Sequence, residues 1–492
     1  MSSRHRPCEH CRKQHLKCEG YPVCMRCKSF NRECQRVETK WRFRHNVPLP
    51  YARETSTHPR NITGNAPGVR TSSTLPAFSP SISAFTVRHA ARPLSAQDAC
   101  LLRYFVEDLS RWFDLTDPRK HFATAIPQRA RECSTLLDAI LSVSARHFST
   151  LPLHTKTEIL RIYGLQTELS ITEETVIHYH NRCIAELRIL SDRPDAVMDE
   201  NLLAAVVILR FFEELDNPFT SPPTETALHG LHVFLRAQAS SALDSSCLAS
   251  VSIRQSAFWV GFRQEFNLAF AQQRTTRLPL EISAKYLEFS ETDDYIWTNR
   301  LIVFGARILN YCYGQLQPGP DDEYSELVQL RDQWVASRPR SFAPFYSKES
   351  SHSSSSDIFP KIWYMEDCHI VAAQTLSLLD ILLAAYSPSL SRPGIGLGKS
   401  RKQNSEIENT NARIRALVLD ICGMALSNRQ SRPAGLTACI AINLNADRFT
   451  DQNEQRALME LVIRTTKESN YWPTSESERR LRVEWGWDFK EL

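Results

Sequence analysis

Six of the protein's fourteen cysteines stand within 27 residues near the start of the chain, in CEHCRKQHLKCEGYPVCMRCKSFNREC. Cys8, Cys11, Cys18, Cys24, Cys27 and Cys34 follow the spacing C-x2-C-x6-C-x5-C-x2-C-x6-C, so the unit C-x2-C-x6-C occurs twice, sixteen residues apart. A C-x2-C step lets two thiolates reach one ion, as in structural zinc sites. Tetrahedral ligation then decides the metal number. One zinc leaves two thiols unused, whereas two zincs need eight metal–sulfur bonds, which six sulfurs supply if two of them bridge. The repeat implies that equivalent members of each half do the bridging. Such a site is closed to water and is therefore structural, not catalytic.

Basic residues are laced through the same stretch. Between Cys11 and Cys18 lies Arg12-Lys13-Gln14-His15-Leu16-Lys17. A short helix here would present Arg12, Lys13, Gln14, His15 and Lys17 on its solvent side, and its N-terminal amides would add attraction for phosphate. The first 50 residues carry 12 Lys/Arg against 4 Asp/Glu, while the remaining 442 carry 47 against 51. Positive charge concentrated at one end predicts an anionic partner for that end.

These residues resemble the fungal binuclear zinc cluster, a six-cysteine DNA-binding module. The resemblance implies that Cys8, Cys11, Cys18 and Cys24 hold one zinc, and that Cys8, Cys24, Cys27 and Cys34 hold the other, with Cys8 and Cys24 bridging. Pro22 stands where the family has its loop proline. The resemblance places the first helix in the major groove, with Arg12 and Lys17 at phosphate-contacting positions. Such contacts fix register without reading sequence. The family usually has basic residues where Gln14 and His15 stand here, and a lysine at the second position commonly reads a CGG triplet. Gln pairs best with adenine, whereas Arg and Lys favour guanine. Gln14 and His15 are thus expected to weaken a preference for plain CGG half-sites, unless both are spectators near a phosphate. Arg26, Lys28 and Arg32 complete the basic face. Lys40-Trp41-Arg42-Phe43-Arg44-His45 serves extra DNA contact, nuclear import or docking on the larger domain.

The cysteines must be carried by a chain of 492 residues, 42% hydrophobic and 23% charged, with 15 glycines. That composition is of an ordinary globular protein, poor in the glycine that phosphate-binding turns and tight hairpins need. MSSRHRP leads straight into cysteines with no apolar signal stretch, and Leu202–Phe212, LLAAVVILRFF, is broken by Arg210. It reads as a buried helix, since a membrane span needs about 18 apolar residues. The expectation is a soluble, intracellular protein with no membrane contact, in which clustered cysteines point to metal rather than disulfides.

From about Asn46 to Leu94 the chain is rich in Ser, Thr, Pro and Arg and buries too little apolar surface to fold alone. No sustained heptad appears between Gln35 and Pro93. At Ser95 the character changes. Ser95-Ala96-Gln97-Asp98 has the form of a helix N-cap, and Leu101, Leu102, Phe105, Leu109, Trp112 and Phe113 follow at helical spacing. Helices are predicted around Thr135–Phe148, Glu173–Leu190, Asn201–Leu215, Thr226–Gln238, Ser256–Gln272, Ile296–Tyr313, Trp363–Ala385, Asn411–Leu426 and Glu454–Lys467. Ser347–Asp357 and Ser387–Glu406 read as exposed loops. The expected architecture is a small metal-stabilised N-terminal module, two short helices around a two-zinc cluster, over residues 1–45. A linker over 46–94 and a large all-α domain over 95–492 follow.

The second part also has a family look. YFVEDLSRWFDLTDPRKHFATAIPQRA, LLDAILSVSARH, NRCIAELRIL and NLLAAVVILRFFEELD resemble the fungal-specific transcription factor domain, and YWPTSESERRL fits it as well. That resemblance implies a regulatory role and identifies no site residues. Catalytic signatures are missing: there is no H-E-x-x-H, no G-x-S-x-G and no G-x-G-x-x-G opening a helix. The segment PGIGLGKS ends like a phosphate-binding loop, but Pro393 stands where its first glycine is needed. Cys100, Cys133, Cys183, Cys247, Cys312, Cys368, Cys422 and Cys439 are dispersed in apolar patterns and read as small buried hydrophobes. His229 and His232 lack carboxylate or thiol company.

The sequence therefore predicts a nuclear, zinc-dependent transcription factor of RNA polymerase II genes, with two zinc ions per chain and no enzymatic activity. Its expected partners are double-stranded DNA, transcriptional co-regulators and a small-molecule effector. A homodimer built by the helical domain stays open, although no coiled coil is evident. The competing expectation is a co-regulator whose zinc cluster mainly mediates protein association.

Overall fold

The computed structural model describes residues 25–29, 93–165, 171–190, 193, 196–216, 231–237, 252–278, 286–287, 289–314, 321–350, 358–391, 397–465 and 472–487. Within the N-terminal module this covers one short helix, Met25–Ser29.

The helical body begins where the sequence carries a capping box. The Ser95 hydroxyl accepts from the Asp98 amide, and the Asp98 carboxylate accepts from the Ser95 amide. Two otherwise orphaned donors at the helix start are thereby satisfied. Helix α1 (Ala96–Tyr104) continues through a single π-turn, Phe105–Leu109, into Ser110–Phe113. Leu101, Phe105, Leu109, Trp112 and Phe113 are buried as their spacing predicts. Leu102 is half-buried and Tyr104 lies inside instead, its hydroxyl 2.7 Å from His147 Nδ1.

The next elements are α2 (Ser134–Thr150), α3 (Glu173–Leu190), α4 (Glu200–Asp216), α5 (Ile253–Ala271) and α6 (Asp294–Tyr313). Each matches a predicted helix to within three residues at either end. Residues 231–237 are helical inside the predicted Thr226–Gln238 span. Helix α2 packs between α3 and α4, α5 packs against α4 and α6, and α6 packs against a helix further along the chain, α8. Helix α7 (Asp321–Ser337) and a small antiparallel hairpin, β1 (Tyr346–Lys348) with β2 (Lys361–Trp363), precede α8 (Asp367–Ala385). Helices α9 (Leu397–Ser427), α10 (Arg432–Asn445), α11 (Gln452–Arg464) and α12 (Ser475–Glu484) close the body.

Among the described residues the large body is all-α as expected, apart from one small hairpin. Four local expectations need correction. Lys361–Trp363 is a strand, and the helix predicted from Trp363 starts at Asp367. Strand β2 is held by α9: the Ile362 amide donates to Ser427 Oγ and the Tyr364 amide to Asn428 Oδ1. The start of the presumed loop Ser347–Asp357 belongs to β1. Within Ser387–Glu406, α9 starts at Leu397, so the latter half is helical. A long helix needs no apolar stripe over its whole length if its remaining turns pack well. Last, α8 is long and apolar enough to span a membrane, although polar residues interrupt its apolar sequence. It is a core helix, 67% of its apolar window being buried inside the protein.

The C-terminal segment returns to the start of the body. Trp472 stacks on Trp112 at 5.2 Å between ring centroids and lies 5.4 Å from Phe211, so three parts of the chain share one aromatic cluster. Burying aromatics of this size contributes several kcal/mol to holding those parts together.

Helix α9 lies close to the residue before β2 at Gly423, where an added Cβ would be 2.3 Å from the Pro360 carbonyl oxygen. Backbone cannot yield as a side chain does, so Gly423→Ala should cost about 1–3 kcal/mol. Urea denaturation of the full chain would measure it, and an unchanged midpoint would contradict this close approach.

Candidate functional site

Helix α5 buries five polar side chains, Gln255, Ser256, Arg263, Gln264 and Glu265. Three consecutive polar residues, Arg263, Gln264 and Glu265, interrupt an apolar run that extends from Ala257 to Phe270. At 100° per residue they spread over about 200° of the helix surface and cannot share one solvent-facing stripe. The fold buries all three, Arg263 being 6% exposed and Gln264 9%. Each therefore needs a partner from a neighbouring element.

The partners come from different parts of the chain. Arg263 donates from Nη1 to Thr116 Oγ1 at 3.1 Å, and from Nη2 to the carbonyls of Phe113 at 3.0 Å and Trp112 at 3.5 Å. Gln264 Nε2 donates to the Val207 carbonyl on α4. Glu265 accepts two bonds from Arg274 and one from the Arg277 amide, tying down the turn after α5. Two turns earlier, Ser256 Oγ donates to Asp117 at 2.7 Å, and Asp117 also accepts from the His121 amide and faces His121 Nδ1 at 2.7 Å. Asp114 accepts from the amides of Phe122 and Ala123. The loop after α1 is thus shaped by α5.

Arg263, Gln264 and Glu214 line one cavity of about 60 Å³, walled by α4, α5, α6, α8 and α10 together with Trp112 and Phe113. Gln374 of α8 lines it too, while its Nε2 ties α8 to the carbonyls of Ile421 on α9 and Ala434 on α10. Burial pulls the Arg263 guanidinium down to about 10, opposed by the fields of Asp114 and Glu214. Burial also pushes the carboxyls of Glu214 and Asp114 up to about 7 each. Arg210 and Arg263 act against that shift at Glu214 and Glu213 adds to it. A carboxyl behaves this way where the loss of hydration outweighs the nearby positive charge.

None of these cavity residues was singled out by motif. The signal available was the run of three polar residues inside α5, together with Arg210 and Glu214 in the apolar α4. Of the residues that were singled out, Cys8, Cys11, Cys18, Cys24 and Cys34, with Arg12, Lys13, Gln14, His15 and Lys17, lie outside the described residues. Cys27 is buried on the Met25–Ser29 helix. Of the dispersed cysteines, Cys247 also lies outside. Cys133 is half-buried and the other six are buried. Burial raises their thiols, Cys100 to about 11 and Cys312, Cys368 and Cys439 to about 12. They pack as small hydrophobes, as expected. His229 lies outside, and His232 Nε2 stands 3.7 Å from Glu265. Among the described residues no three His, Cys, Asp or Glu side chains converge as a metal site would require.

Residues 100–253 match the model of the fungal specific transcription factor domain. The match supports a fungal transcription regulator, and the matched family is a transcription factor domain, not an enzyme family. The matched stretch includes Trp112, Phe113 and Thr116, and its last residue, Ile253, opens α5. YWPTSESERRL lies beyond the matched stretch. No curated protein and no solved structure matches the chain.

The raised Glu214 carboxyl has a consequence for stability. Between about pH 4.5, its ordinary value, and about 7, the folded protein holds a proton that the unfolded chain has lost. Stability contributed by this group is therefore full below that window and falls as pH rises through it. Glu214→Gln removes the ionisable group and should stabilise the protein at pH 8 by about 1–3 kcal/mol relative to the parent, with little gain at pH 4.5. Denaturation midpoints across that range would show it, and an equal effect at both ends would refute the assignment.

Proposed function

We propose that this chain is a zinc-dependent, sequence-specific DNA-binding transcription factor that regulates RNA polymerase II genes in the nucleus. The observation that carries the reading is the pairing of two features on one chain. One is a repeated C-x2-C-x6-C cluster laced with basic residues, and the other is the match of residues 100–253 to a fungal transcription factor domain.

In this reading residues 1–45 form the DNA-binding module, 46–94 a tether and 95–492 the regulatory domain. Six thiolates suit two zinc ions in donor type and number, with Cys8 and Cys24 bridging and Cys11, Cys18, Cys27 and Cys34 terminal. Bound zinc supplies structure there, cross-linking a segment too short to build its own hydrophobic core. Arg12 and Lys17 hold phosphates, Lys13 adds to the basic face, and Gln14 and His15 meet base edges. The tether lets the module reach its site while the helical domain contacts co-regulators.

Binding driven by phosphate neutralisation releases counterions, so affinity must fall with salt. Zinc-loaded full-length protein should contain two zinc ions and bind selected duplexes with a log–log salt slope of about −0.9 per phosphate neutralised. Replacing Arg12 or Lys17 by alanine should make that slope shallower by about one and weaken binding uniformly across sequences. Cys11→Ala should abolish selection from random DNA, and Gln14→Lys should move the selected motif toward guanine. A zinc-loaded chain that enriches no duplex at low salt would refute the DNA reading and leave the cluster to protein association.

A further inference from the structure

Large apolar side chains stand exposed together at one place on the body. Among the described residues every exposed Phe, Tyr or Trp lies on the hairpin or beside it: Phe345, Tyr346 and Trp363. Met365, 73% exposed, follows two residues after Trp363. Tyr346 faces Trp363 directly across the strands, with ring centroids 4.6 Å apart, and Phe345 lies 5.9 Å from the same indole. Single exposed apolar residues are ordinary, whereas a cluster marks an interaction surface. Two residues further along the strands, Lys348 faces Lys361. Side chains two apart on a strand share a face, so the aromatic pair and the lysine pair lie on the same side of the hairpin, about 7 Å apart. Like charges directly opposite each other destabilise a sheet, and neither ammonium has a carboxylate partner among the described residues. Helix α9 fixes the hairpin: Asn428 Nδ2 donates to the Ile362 carbonyl at 2.8 Å, and Asn428 Oδ1 accepts from the Tyr364 amide. The face is therefore preorganised, and binding need not order it.

We propose that this face docks an acidic peptide of a partner protein, with its carboxylates on Lys348 and Lys361 and a large apolar side chain against Tyr346 and Trp363. Charge selects the occupant. Residues 46–94 carry five arginines and one glutamate, and the first 50 residues are basic too. The chain's own N-terminal segments would therefore bring like charge to the lysines. An extended peptide repeats its side chains on one face at the same spacing of about 7 Å, so an apolar and an acidic residue two apart match the two pairs. Nucleic acid fits less well, since it carries a charge at every nucleotide and Glu349 and Glu366 flank the patch in sequence. The carboxylates relieve the repulsion between Lys348 and Lys361, and the aromatic pair supplies an anchor of the kind that dominates interface energies. The inference gives the helical body a docking surface of stated chemistry and depends on neither zinc nor DNA binding.

The test uses full-length protein without DNA and the fluorescence anisotropy of a short labelled peptide. Its phenylalanines and aspartates stand two residues apart, with serine between them. Saturable binding is expected, weakening as salt rises because exposed charges are screened. Asparagine in place of aspartate, or serine in place of phenylalanine, should weaken it about three- to tenfold. Phe345→Ser, at a position 58% exposed, should weaken it about threefold. Lys348→Glu combined with Lys361→Glu should cost about tenfold or more, and this charge-reversed protein should bind a peptide with lysine in place of aspartate more tightly than the parent does. That gain separates lost recognition from lost structure. No binding by the parent protein would overturn the proposal. Equal affinity of the acidic peptide for parent and charge-reversed protein would overturn it too, because the peptide would then sit elsewhere, on the basic N-terminal residues. A single-stranded oligonucleotide that displaces the peptide from the parent, and itself loses affinity on charge reversal, would assign the face to nucleic acid instead. Self-association of the parent in sedimentation velocity that disappears on charge reversal would assign it to a second copy of the chain.

Discussion

A helix buried on all sides must still find partners for its polar side chains, and in this protein that helix is α5. Sixteen of its nineteen residues, from Ile253 to Phe270, are inside. Ser256, Arg263, Gln264 and Glu265 are each bonded to a different piece of chain: the Asp117 loop, the end of the α1 segment, α4 and the turn leading away from α5. An unpaired polar group at any of these places costs about 1–3 kcal/mol or more, so each bond fixes where its partner can sit. The loop from Asp114 to Ala123 takes its shape from this demand, and so do the walls of the cavity.

Why much of the fold was readable follows from the same physics. Where one helical stripe faces the core, as in α3, apolar residues recur at the helical period and both ends match. Where the helix is buried all round, as in α4 and α5, length and continuous apolarity identify it. Helices that escaped notice lack either signal. Leu153–Ile162 buries no residue, α7 is largely polar with Leu327 and Trp334 as its buried anchors, and α12 buries two residues in ten. Helix α10 opens with Arg-Pro and carries a glycine at its fourth position, residues that do not mark a helix by themselves although proline is well suited to the first helical turn. The cavity was not legible, since its walls are drawn from five helices spread over more than three hundred residues and no local spacing connects them.

The cysteines illustrate how context decides what one residue type does. Eight are spread through residues 100–439. Those described lie mostly inside the helical body, where burial raises their thiols and keeps the nucleophilic thiolate scarce. The other six are packed into 27 residues among arginines and lysines, surroundings that favour thiolate and metal ligation. Spacing made the second group recognisable at once, and apolar surroundings made the first group unremarkable. The same contrast runs through the charges. The basic excess belongs to the first fifty residues, while the helical body has a slight acidic excess.

The matched stretch, residues 100–253, supplies Trp112, Phe113, Phe211 and Glu214 to the cavity, but Arg263, Gln264, Gln374 and Thr437 come from the chain beyond it. The cavity therefore lies on the seam where the matched segment packs against the rest of the body. Arg263 crosses that seam to the carbonyls of Trp112 and Phe113, and Trp472 crosses it again to stack on Trp112. These contacts hold the matched segment to the rest of the body, so neither side can pack without the other.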